Sequence, residues 1–235
     1  MYFLATNDVE EISVANNNYN DKSAKITANV GMPRLINLYS KYDVEGTFYF
    51  TGTFAEKFPE SVQLVKDHGH EVASHGYSHS VDHAFDVLSN KDQYVHLSKS
   101  KRVLEGIAGR VQSFRAPALR LGEYTPKILE KLGFKTDSSV ASQRFDGPFT
   151  FGASNKLKWL TTPRLPYYMK SNNPYKEGNC DVLQIPVSSL IVAYQGTTMR
   201  YSPALNSILG NVLYKEARKT GKPLVFLFHP TEMIK

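Results

Sequence analysis

Gly69-His70-Glu71-Val72-Ala73-Ser74-His75-Gly76-Tyr77-Ser78-His79 decides how this chain is read. Its first half, His70–Ser74, is a short run around Val72 and Ala73, the pattern of a buried β-strand. Directly after it stand two imidazoles, His75 and His79, four residues apart, close enough in a helical turn or tight loop for both to bind one ion. His68, His70 and His83 lie in the same stretch, so spacing alone does not single out the pair.

Working outward, six more short runs rich in β-branched and aromatic residues predict strands at Tyr2–Thr6, Gly46–Thr51, Val111–Arg115, Phe134–Asp137, Val182–Val187 and Leu224–His229. Helical-period segments lie between most of them. Thr53 with Glu56 reads as a capping box, and Phe54, Phe58, Val62 and Val65 as one helical stripe stopped at Gly69. Thr125-Pro126 and Ser202-Pro203 each read as an N-cap with Pro at the first helical position, with Gly133 and Gly221 as the stops. Strands alternating with helices predict an α/β fold with a parallel sheet. Gln143–Asn179, with four prolines in X-Pro turns and little periodicity, reads as a long loop with a short hairpin around Lys158–Thr161. Trp159, Tyr167, Tyr168 and Tyr175 within it are expected to pack the loop down.

The 235 residues are 41% apolar and 21% charged, which excludes disorder and predicts one domain over 1–235 with a single sizeable core. The net charge of +6 is scattered; the densest basic run, Lys99-Ser100-Lys101-Arg102, reads as a solvated helix face, so no nucleic-acid partner is expected. One cysteine, Cys180, can form neither an internal disulfide nor a cysteine metal cluster. The amino terminus shows no basic n-region and no apolar stretch long enough to span a bilayer, from which a cytoplasmic chain is expected.

In barrel-like β/α folds the chemistry sits at the carboxyl ends of the strands. Asp8 and Glu10 follow the first expected strand, His75 and His79 the third, Arg115 ends the fourth, Asp137 the fifth and His229 the last. Asp8-Val9-Glu10 puts two carboxylates on one side of an extended chain. Two histidines and one carboxylate make a facial set with open positions, suited to Zn, Fe, Co or Mn. The second carboxylate is then free to act as a base, Arg115 can pair with it, and His229 can protonate a leaving amine.

These residues resemble the polysaccharide deacetylases with the NodB homology domain, carbohydrate esterase family four. Gly46-Thr47-Phe48-Tyr49-Phe50-Thr51-Gly52 is similar to that family's second strand, and Gly69–His79 to its metal-binding motif. Phe114-Arg115-Ala116-Pro117 is similar to its arginine motif, and Leu183-Gln184-Ile185-Pro186-Val187 and Phe228-His229-Pro230-Thr231-Glu232 to its last two strands. The resemblance implies a distorted, incomplete (β/α) barrel of about seven parallel strands, NodB-like and related to the TIM barrel. It also implies a metal-dependent hydrolase that removes the N-acetyl group from an amino sugar or glycan by attack of metal-bound water. One divalent transition metal ion is implied, zinc first, with Co, Fe, Mn or Ni as alternatives. His75 and His79 take the ligand positions, Arg115 the position that orients the base, His229 the acid, and the backbone N–H of Ala118 an oxyanion donor. Asp137 is a candidate support for His229 or Arg115.

The first motif departs from the common Thr-Phe-Asp-Asp-Gly, since this chain has Thr6-Asn7-Asp8-Val9-Glu10. In the branch with Asp-Val-Glu here, Asp8 is the base and Glu10 the third metal ligand. A one-residue shift would put Asn7 at the base position and Asp8 at the ligand position, leaving no base. The expected partner is a carbohydrate or small amide substrate. Two other readings stand beside the deacetylase: a cyclic-imide or allantoin-type C–N hydrolase on the same scaffold, and a non-catalytic glycan-binding protein.

Overall fold

The computed structural model describes residues 1–13, 18–19, 21–145 and 156–234. Its main sheet has nine strands: β1 (Phe3–Val9), β2 (Gly46–Phe50), β3 (Glu71–Ser74), β4 (Ser113–Phe114), β5 (Thr136–Asp137), β6 (Tyr167–Lys170), β7 (Asn173–Glu177), β8 (Leu183–Gln184) and β9 (Leu224–Phe228). Their order is β9-β1-β2-β3-β4-β5-β8-β6-β7. The first seven in that order are mutually parallel, whereas β6 runs antiparallel to β8 and pairs with β7 as a hairpin. The sheet curls into an open half-barrel, as the seven expected strands and the resemblance implied.

Eight α-helices are described: α1 (Asp21–Ile26), α2 (Met32–Lys41), α3 (Gly52–Lys57), α4 (Pro59–Asp67), α5 (Asn90–Ala108), α6 (Thr125–Lys131), α7 (Gly196–Tyr201) and α8 (Pro203–Thr220). None of them is long and apolar enough to cross a membrane. The core lies between sheet and helices, where Phe48, Phe50, Phe54, Phe114, Phe134 and Leu97 are fully buried. Burial on both faces is why the central strands read as continuous apolar runs rather than alternating ones.

Several boundaries differ from the sequence reading. β1 runs on to Val9, so Asp8 lies inside the strand and Glu10 directly after it. β4 and β5 keep two paired residues each, because the ladder closes only where neighbouring strands run alongside. The expected single helix over Phe54–Val65 is two, broken at Phe58-Pro59: Phe58 leaves the helical region at φ −133° and Pro59 opens α4. A residue before proline is pushed out of the α region by the ring's Cδ. Thr51, not Thr53, caps α3 by accepting from the Phe54 N–H. Thr125 stands at the first position of α6 rather than at its cap, whereas Ser202 does cap α8 and Gly221 ends it in the left-handed conformation.

The expected hairpin at Lys158–Thr161 is a 3-10 turn over Leu157–Thr161, and the hairpin lies further on, in β6 and β7. Part of the expected long loop, 146–155, lies outside the described residues. Trp159, Tyr167 and Tyr175 are packed into the core, while Tyr168 is exposed. The Lys99–Arg102 run is not a wholly solvated face: Ser100 is buried, and Lys99 and Lys101 lie over the rings of Tyr77 and Phe134.

Candidate active site

β1 alternates its side chains between the two faces of the sheet. Asn7 points to the outer layer, where its Nδ2 donates to the Thr47 carbonyl and its Oδ1 accepts from the Tyr39 hydroxyl. Asp8 and Glu10 therefore share the opposite side, at the carboxyl end of the strand. There they line a cavity of about 160 Å³ together with His75, His79, Ala118 and His229. Asn7, the base position of the shifted register, does not reach it.

Glu10 Oε2 lies 3.4 Å from His75 Nε2 and 3.1 Å from His79 Nε2. The His75 ring is buried, and its Nδ1 stands 2.8 Å from the Arg115 carbonyl. A carbonyl only accepts, so Nδ1 carries a proton, and Nε2 faces the cavity. Burial by itself would raise the Glu10 carboxyl, but the imidazoles of His79, His75 and His229 outweigh it and hold the group down at about 2. Burial also lowers the His79 imidazole, against the pull of Glu10.

Whether these three residues fit a metal ion can be tested on their own atoms. Glu10 Oε2 is buried and accepts no hydrogen bond. One ligand atom from each of Glu10, His75 and His79 lies within 4.8 Å of the others. Two imidazoles and a carboxylate around an unsatisfied oxygen form a donor set that suits a divalent transition ion.

Arg115 is wholly buried and forms the wall behind Asp8. Its Nη1 donates to Asp8 Oδ1 at 2.8 Å, its Nη2 to Thr6 Oγ1 and Ser138 Oγ, and its Nε to the Ser138 carbonyl. The Tyr49 ring lies 4.3 Å from the guanidinium carbon. Asp8 Oδ2, the other oxygen, is 3.9 Å from His75 Nε2.

Asp137 is not hydrogen-bonded to His229 or Arg115. It accepts from Ser139 Oγ and from Gln184 Nε2, and Ser139 Oγ in turn accepts the Ala116 N–H at 2.7 Å. Asp137 thus braces the turn after Arg115. Burial raises its carboxyl to about 7, against the hydrogen bonds from Ser139 and Gln184. In that turn Ala118 and Leu119 both adopt positive φ, 52° and 56°, a conformation that costs an L-residue roughly 1–2 kcal/mol. The Ala118 N–H points at the cavity and donates to His79 Nε2 at 3.2 Å.

His229, directly after β9, faces the two carboxylates, with Nε2 3.9 Å from Glu10 Oε1. Sequence reading missed the group behind it. Glu232 Oε2 accepts the His229 N–H at 2.9 Å and lies 3.7 Å from Nδ1, an ion-pair distance too long for a hydrogen bond. Burial opposes the imidazolium, but Glu232, Glu10 and Asp8 outweigh it and hold His229 up at about 9. A glutamate three residues after a strand-end histidine is the spacing of a capping box, which could have drawn attention to it. Gly196 is needed beside it, since a Cβ there would come within 2.0 Å of Glu232 Oε2.

The neighbouring histidines of that part of the chain, His68, His70 and His83, lie elsewhere. His70 Nδ1 accepts the Gly46 N–H, His83 Nδ1 meets Ser78 Oγ, and His68 Nδ1 meets the Leu64 carbonyl.

The chain is 34% identical over 117 residues to a peptidoglycan deacetylase of Helicobacter pylori, a match covering 49% of this chain and 39% of that protein. The chain spans less than two fifths of the length of the curated relatives it matches first, 39%, 36% and 30%. Among solved structures, a Mycobacterium smegmatis protein assigned as a polysaccharide deacetylase superposes with a TM-score of 0.69 at 23% identity, covering 97% of this chain and 76% of that one. The allantoinase PuuE has the same fold, with a TM-score of 0.63 at 17% identity over 98% of this chain and 78% of its own. The family model described as "Polysaccharide deacetylase" matches residues 16–136, a stretch that takes in His75, His79 and Arg115. That stretch is just over half of the chain, and the protein therefore belongs to the polysaccharide deacetylase family.

Proposed function

We propose that this chain hydrolyses the N-acetyl group of an amino sugar in a glycan, releasing acetate and a free amine. The identity with the Helicobacter peptidoglycan deacetylase supports a peptidoglycan-type glycan as the substrate. The observation that carries the reading is the convergence, around one small cavity, of a Glu10–His75–His79 donor set, an arginine-held Asp8 and a facing His229. Glu10, His75 and His79 would hold one divalent ion, zinc being the best match to that donor set. Such an ion supplies Lewis acidity, polarising the acyl carbonyl and making water a stronger nucleophile.

The chain's own groups do the rest. Asp8, kept in place by Arg115, takes a proton from the attacking water at Oδ2. The Ala118 N–H exchanges its present acceptor, His79 Nε2, for the substrate oxygen as negative charge develops there. His229 donates a proton to the sugar nitrogen as the C–N bond breaks, and Glu232 keeps the ring turned toward the cleft.

The test measures metal content, then product. Zinc-reloaded protein is expected to hold about one ion per chain, the number that the single donor set among the described residues allows. His79→Ala should lose the ion, and acetate should appear from N-acetylglucosamine oligomers or peptidoglycan fragments. An opened ring from a cyclic imide or ureide without acetate would replace the proposal with the allantoinase-type reaction. Glycan binding without turnover by the zinc-loaded protein would make it a binding protein.

A further inference from the structure

The turn Gly76-Tyr77-Ser78 sets the distance between His75 and His79, and it does not hold its own shape. Gly76 sits at φ +71°, in the left-handed region. All four backbone polar groups of Gly76 and Tyr77 are bound by residues outside the turn. The Gly76 N–H donates to Ser74 Oγ, and the Gly76 carbonyl accepts from the Gly52 N–H and from Ser100 Oγ. The Tyr77 carbonyl accepts from the Thr53 N–H. The Tyr77 N–H donates to a side chain, Nδ1 of His96 on α5, at 3.1 Å.

His96 does not line the cavity. It is buried, with its ring edge-on to Tyr77 at 5.8 Å and to Phe85 at 5.6 Å. Because Nδ1 accepts, the proton sits on Nε2, which is buried and has no partner among the described residues. As pure packing, a phenylalanine would fill this place without an orphaned donor. What the imidazole adds is the acceptor for Tyr77.

We propose that His96 is a positioning residue for the ion site: by holding the Tyr77 N–H from α5 it fixes the turn that sets His79 Nε2 opposite His75 Nε2 and Glu10. Ser100, one turn further along α5, holds the neighbouring Gly76 carbonyl and serves the same end. The proposal rests on the reading of Glu10, His75 and His79 as ion ligands, and the experiment separates the two.

Zinc dissociation constants are measured by competition with a chromophoric chelator, alongside melting temperatures of the zinc-free proteins. His96→Phe should weaken zinc binding roughly 10–100-fold, the range for residues that orient metal ligands from behind. His96→Asn, whose Oδ1 can accept the same N–H, should recover most of that loss. Leu104→Ala, a core truncation on the same helix away from the turn, should lower the melting temperature and leave zinc affinity unchanged. Wild-type affinity in His96→Phe overturns the proposal, and so does a loss in Leu104→Ala equal to that in His96→Phe. A wild-type protein that binds no zinc overturns the ion-site reading and the proposal with it.

Discussion

Arg115 holds Asp8 with no guanidinium surface left to solvent, whereas Arg164 grips Glu216 through two nitrogens at an edge where about a quarter of the glutamate is exposed. In the second cluster both glutamate oxygens are taken: Arg164 Nε bonds one, and Arg164 Nη2 and Lys222 Nζ share the other. These contacts tie α8 to the segment after Thr162 and leave the carboxylate nothing to offer. In the first cluster Arg115 occupies a single oxygen of Asp8 and spends its other donors on Thr6 and Ser138. Asp8 Oδ2 stays directed at the cavity. An arginine–carboxylate pair makes a fastening in one place and, on the proposed function, a reactive group in the other, and the number of donors aimed at the carboxylate distinguishes them.

Removing the arginine breaks that comparison most severely. Arg115→Met leaves the Asp8 charge buried without its partner, and a loss of about 3–5 kcal/mol is expected. In a chain of this size that is a fall of roughly 10 °C in melting temperature, read by calorimetry, with acetate release abolished. A variant melting within a degree of wild type would show that the pair carries no such weight.

Asp8→Asn sharpens the comparison instead. It keeps the shape and removes the base, so turnover should drop about 10²–10⁴-fold while bound zinc, read by elemental analysis, stays at the wild-type level. Full activity in this variant would end the role given to Asp8.

Glu216→Gln should do the opposite, costing about 2 kcal/mol of stability and leaving kcat/KM unchanged. Its pH dependence has a definite sign. Hydrogen bonds from Arg164 and Lys222 outweigh burial and hold the Glu216 carboxyl at about 2, below its ordinary 4.5. The stabilisation is therefore complete above about pH 4.5 and lost as pH falls toward 2, so the melting gap between wild type and variant should close over that window. A gap that widens on acidification would contradict the assignment.

The smallest effect belongs to the turn after Arg115. Ala118→Gly relieves one of two left-handed L-residues and should raise stability by about 1 kcal/mol, seen as a small upward shift in denaturant midpoint. No shift would mean that the turn stores no strain.

The central sheet was readable because its parallel strands are buried on both faces and end in polar residues. His75, Arg115, Asp137 and His229 stand out at the ends of apolar runs for that reason. The edge was less readable. Tyr167-Tyr168-Met169-Lys170 alternates buried and exposed positions as a strand should, but it stands among prolines that suggest loop. The Phe58-Pro59 break carried a local signal, the residue before proline, that the long apolar stripe obscured. Ser138 and His96 could not be read at all as partners of the site, since each meets it across elements distant in sequence, and Glu232 carried only the capping-box spacing after His229.

β1 pairs with β2 on one side and with the last strand on the other, Phe3 lying against Leu224. On the ribosome, then, the donor set of Glu10, His75 and His79 is complete in the emerging chain long before His229 exists. Under the proposed function, the residues that would hold the ion are therefore synthesised before the residue that would donate the proton. The pairing of β9 with β1 is the most non-local contact of the main sheet, and it is also the contact that brings His229 to face Glu10.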